Sequence, residues 1–162
     1  MTEAQQAALE ALAGRALTAG EVEQIDALLP DRRDDLIAGI LSEGRTEVFS
    51  RMTSARGVAE FFPGGPIGAE VVLMKLEGAR DAMLASGDPE QQVFGSLLRR
   101  QLGFLAGEGL DFGSAALRGM LDQFAALGIL TADEVAGLKN IAVRPAPIGT
   151  AQVSNVLNAL EG

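Results

Sequence analysis

The chain has 162 residues, 48% of them apolar, and a formal net charge of −9 from 22 acidic and 13 basic residues. It contains no Cys, His, Tyr or Trp. Disulfides, thiolate nucleophiles and zinc–thiolate sites are therefore excluded, and the commonest general base and metal ligand is missing. An acidic surface repels phosphate backbones and anionic headgroups, so neither nucleic acid nor membrane is expected as a partner.

Helix start and stop signals divide the chain clearly. Thr2 with Gln5 forms a capping box and opens a helix over 2–13; Thr18 with Glu21 opens the next over 18–29. Asp31, Asp34 and Asp35 surround Arg32 and Arg33 at the start of a helix over 31–42, where negative charge complements the helix dipole. The ligand spacing of a calcium loop is absent there. Helices follow over 54–62, 66–86, 88–106 and 114–127. Asp88 and Pro89 supply an N-cap and a first-position proline for the 88–106 helix. Thr131 with Glu134 opens 131–141, and a last helix covers 150–160. Gly14, Gly44, Gly87, Gly107 and Gly128 stand where helices should stop. Residues 44–53, 62–66, 107–113 and 142–149 are loops, with short extended pieces at 46–52 and 110–112. The start signal 17–22 resembles 130–135, which reads as two helices sharing one capping device or, alternatively, as a duplicated helical hairpin.

Helix 66–86 is apolar nearly all round: Ile67, Val71, Val72, Leu73, Met74, Leu76, Ala79, Met83 and Leu84. Glu70, Glu77 and Asp81 fall in one narrow strip. Such a helix belongs at the centre of a bundle or against a partner. Helix 88–106 sets Phe94, Leu97, Leu98, Leu102 and Leu105 opposite Arg99 and Arg100. Helix 114–127 carries Leu117, Met120, Leu121, Phe124 and Leu127. These three helices are the expected core, and Gln101 falls on its apolar stripe. The fold class is all-α: a compact helical bundle with short irregular loops and little or no strand. The expected division is a core domain over 1–143 and a Pro-bounded C-terminal helix over 144–162, docked on the core or on a partner.

No enzyme activity is expected, and no catalytic, cofactor or metal residue is assigned. The Gly64-Gly65-Pro66-Ile67-Gly68 turn lacks the Lys and Ser/Thr of a phosphate loop. The pairs Glu70/Glu77 and Glu77/Asp81 read as a solvent-facing strip. The apolar face of the last helix, Val153, Val156, Leu157 and Leu160, is assigned as a partner contact. An oligomer or a stable complex is the expected state.

Two patches carry a resemblance: Ser42-Glu43-Gly44-Arg45-Thr46-Glu47-Val48, and Ala142-Val143-Arg144-Pro145-Ala146-Pro147-Ile148-Gly149-Thr150-Ala151-Gln152-Val153-Ser154. The chain resembles small uncharacterised virion-module proteins of tailed bacteriophages and prophages. That family often shows Gly-Arg-Thr-Lys followed by aliphatic residues, then a Pro-x-Pro segment before a last amphipathic helix. Here Glu47 stands in the place of the Lys. The resemblance covers about a quarter of the chain and brings no catalytic residues. It implies a structural component of the neck, tail or fibre attachment, assembled in the host cytoplasm and located in the virion. Its partners would be itself or other virion proteins. The alternative is a soluble helical adaptor that binds a partner through an apolar groove.

Overall fold

The computed structural model describes residues 1–160. Its elements are α1 (Glu3–Ala13), α2 (Ala19–Leu28), α3 (Asp34–Ser42), β1 (Thr46–Val48), β2 (Met52–Thr53), α4 (Ala55–Phe61), α5 (Gly65–Leu84), α6 (Pro89–Ala106), β3 (Leu110–Asp111), α7 (Ala115–Ala126), α8 (Ala132–Asn140), β4 (Val143–Pro145) and α9 (Thr150–Asn158). The fold is all-α in character, with strands of only two or three residues. Three capping boxes start α1, α2 and α8: the hydroxyls of Thr2, Thr18 and Thr131 accept from the N–H groups of Gln5, Glu21 and Glu134. The side chains of those three residues accept in return from the capping threonines' N–H groups.

Two helix ends depart from the sequence reading. Helix α3 starts at Asp34 rather than 31, because Arg32 takes φ = 49°, a left-handed conformation that interrupts any helix through it. Gly14 and Gly128 cap helices at φ = 71° and 70°, whereas Gly107 has φ = −107° and leaves the positive φ of that connection to Gly109.

The chain divides into two units. The first joins residues 1–47 to the chain from Arg144 onward; the second is Val48–Val143. In the first, α9 packs on α1 and α3, and α2 packs on α3. Leu9, Ile25, Ile37, Leu41, Val153 and Leu157 form its centre, each with no exposed surface. In the second, α5, α6 and α7 pack together through Val72, Leu76, Leu98, Leu105, Leu117, Leu121 and Phe124. Val58 of α4 and Leu138 of α8 complete that core, and β2 pairs antiparallel with β3.

This corrects the expected division at 143/144. That boundary exists, but residues 1–47 share a core with the C-terminal helix, not with 48–143. The reason is physical. Periodicity in one segment says which face is buried, and nothing about which distant helix buries it.

Candidate functional site

Helix α5 is apolar on two opposite faces. At 100° per residue, Ala69, Val72 and Leu76 point one way, and all three are buried in the core of the second unit. Ile67, Val71 and Met74 point the other way, and Ile67 is 81% exposed and Met74 63%. Exposed Gly78 and Ala82 continue this outward stripe. Glu70, Glu77 and Asp81 run along its edge, all exposed.

Helix α6 lies against α5, and Gly95 permits the approach. A Cβ added there would meet Met83 Cβ at 2.9 Å and the Leu84 backbone nitrogen at 3.0 Å. Leu98 and Leu105 point into the core. On the outer side stand Val93, 70% exposed, together with Leu97 and Phe104. Arg99 and Arg100 are exposed on the same helix. Leu97, expected in the core, is instead on the rim: it lies about 100° round the helix from Leu98.

An open groove runs between α6 and α7, lined by Phe94, Leu97, Gln101, Met120 and Gln123 among others. Beneath it a void of about 30 Å³ is lined by apolar side chains and Gln101. Gln101 is half buried, so its position on the apolar stripe brings its amide to the edge of the core rather than its centre.

The carboxylates with polar partners act as structural anchors. Asp34, buried at the start of α3, accepts from Arg32 and, at 2.6 Å, from the Ser154 hydroxyl of α9. These bonds, Arg32's first, hold it below the ordinary carboxylate range. Asp111 accepts from the backbone N–H groups of Arg51 and Gly113 and from the Ser50 hydroxyl, and is likewise lowered. Beside it the Arg51 guanidinium lies 3.7 Å from the centroid of the Phe61 ring and donates to the Ile141 carbonyl. Glu134, bonded to Lys75 and to the Thr131 N–H, and Asp81, bonded to Arg80, are lowered too. Such groups are held ionised, the opposite of a carboxyl poised to donate a proton near neutrality. Among the described residues no cluster of three or more metal-ligating side chains occurs, and no helix is long and apolar enough to cross a membrane.

The partner contact expected on the last helix needs correction. Val153 and Leu157 are fully buried within the first unit, Val156 is half buried, and Leu160 alone of the four is exposed. The amphipathic face is used in cis because α1 and α3 present a matching apolar surface.

Residues 42–47 and 144–154 meet in this unit. Ser42 Oγ accepts from the Ile148 N–H at 2.8 Å, Arg45 O accepts from the Ala146 N–H at 3.1 Å, and Arg144 bridges Glu47 at 2.8 Å. Gln152 accepts from the Gly149 N–H to start α9. These motif residues therefore serve the fold itself, closing a discontinuous unit. Comparison with protein-family models, curated proteins and solved structures found no match.

Proposed function

We propose that the protein is a non-enzymatic structural subunit acting by protein–protein packing. Following its resemblance to virion-module proteins, we place it in the neck, tail or fibre attachment of a tailed phage particle. One observation carries the packing role: α5 keeps an apolar stripe on the face opposite the core, with Ile67 81% exposed. Isolated surface apolar residues are ordinary, but a stripe along a helix whose other face is already buried marks a contact surface. The sequence supports the non-enzymatic reading, since no Cys or His is present and the carboxylates with lowered pKa serve as anchors.

The test is fractionation of phage particles from the cell that encodes the gene, with the protein tagged. Banding with the particles at fixed stoichiometry is the expected result. A protein found wholly outside the particle fraction would overturn the virion placement. A second reading, a helical adaptor, is favoured by the groove between α6 and α7. It predicts a soluble one-to-one complex in place of the particle band.

A further inference from the structure

We infer that the outward face of α5 packs on the outward face of α6 from a second copy of the same chain. This rests on the packing role proposed above and names its partner.

The two faces are complementary in kind. On α5, Ile67, Val71 and Met74 form an apolar stripe edged by Glu70, Glu77 and Asp81. On α6, Val93, Leu97 and Phe104 form an apolar stripe with Arg100 at its edge, while Arg99 points to another side of the helix. A partner for α5 must cover an apolar stripe and supply positive charge at one edge. On a chain with 22 acidic and 13 basic residues such a surface is scarce, yet α6 provides one. Pairing α5 with α5 in antiparallel fashion would set the acidic rows beside each other, and like charges across an interface are costly. Placing α5 on α6 sets the acidic edge against Arg100 and apolar stripe against apolar stripe.

The helices are long enough for the purpose. The 18 residues of α6 span about 27 Å at a rise of about 1.5 Å per residue. Two helices side by side, about 10 Å apart, offer roughly 500 Å² per copy. About 1,000 Å² in all is the lower end of a specific interface, which implies association at micromolar rather than nanomolar concentration. Gly78 leaves open space on the α5 stripe: a Cβ built there would meet no atom within 4 Å.

Charge reversal on each face tests this, because Glu70, Glu77 and Arg100 are all exposed. The full chain is compared with Glu70→Lys/Glu77→Lys and with Arg100→Glu by sedimentation at micromolar concentrations. Circular dichroism on each variant checks that helix content is kept. The wild type should self-associate, more weakly as salt rises. Each variant alone should associate at least about tenfold more weakly, the factor for about 1.4 kcal/mol. An equimolar mixture of the two should recover association, since each reversed face then meets its opposite. A wild type that stays monomeric overturns the inference, even if it binds a basic amphipathic peptide. So do folded variants that associate like the wild type, or a mixture that stays as weak as its components. Particle fractionation is independent of these outcomes, so failure here leaves the virion placement to its own test.

Discussion

Truncating Leu98 should cost far more than truncating its neighbour Arg99, and the structure sets the scale. Leu98 is 2% exposed and stands between α5 and α7 beside Val72, Leu76, Leu117 and Leu121. Replacing a buried Leu by Ala costs about 2–5 kcal/mol, of which about 24 cal/mol accrues per Å³ of cavity left unfilled. A void of about 30 Å³ is already present at this place. The side chains here already leave space unfilled, so part of the new space should stay open. Each further ~30 Å³ adds about 0.7 kcal/mol, and Leu98→Ala should lose about 3–5 kcal/mol. Arg99 is exposed with no role in the core, and Arg99→Ala should lose less than about 0.5 kcal/mol. The assay is urea unfolding followed by far-ultraviolet circular dichroism, since the chain has no Trp or Tyr to report by fluorescence. Equal losses for the two variants, measured on monomer, would refute the assignment of the α6 faces.

Gly95→Ala should lose about 1–3 kcal/mol by overpacking, because its new Cβ meets the Leu84 backbone at 3.0 Å; a melting temperature equal to wild type would contradict the close approach of α5 and α6. Ser154→Ala should lose about 1–3 kcal/mol at neutral pH, the scale of a hydrogen bond to a buried charged group. Its effect should shrink in acid, as Asp34 protonates, and a loss that does not vary with pH would oppose that bond as the cause. Acid should destabilise the fold below about pH 4, the range in which unfolded carboxylates bind protons. The folded values of Asp34, Asp111 and Glu134 are depressed, and Glu21, bonded first to Arg15 and then to Thr18, is lowered to about 2. Their stabilisation is complete above the unfolded values and is lost as pH falls through the folded ones. Denaturant midpoints that stay flat from pH 5 to about pH 2 would count against it.

Much of the local structure was legible because it is locally determined. Each capping box involves residues three apart, so Thr2, Thr18 and Thr131 announced α1, α2 and α8 without help from the rest of the chain. The apolar excess of α5 was also visible, along with the need for either a central position or a partner; the structure gives that helix one buried face and one exposed face. What the sequence hid was long-range. Asp34 and Ser154 are 120 positions apart, and Ser42 and Ile148 are 106 apart. No periodicity links them. Hence the last helix, with its Pro145 and Pro147 boundary, read as an appendage when it closes the first unit. Strand β4 was missed for a related reason: three residues containing a proline carry no alternation of their own. The candidate contact surface was half legible, its α5 stripe from composition, its α6 stripe only once Leu97 was seen to lie outside the core.

The exposed faces of the second unit, not the C-terminal helix, are proposed to make the protein's contacts. Light scattering on three full-length proteins tests this most directly: the wild type, Val71→Asp/Met74→Asp and Leu160→Asp. All three substituted side chains are exposed, so each protein should keep its fold. Wild type and Leu160→Asp should share the same associated mass, while Val71→Asp/Met74→Asp should fall to the monomer. Association lost in Leu160→Asp and kept in Val71→Asp/Met74→Asp would contradict the proposal.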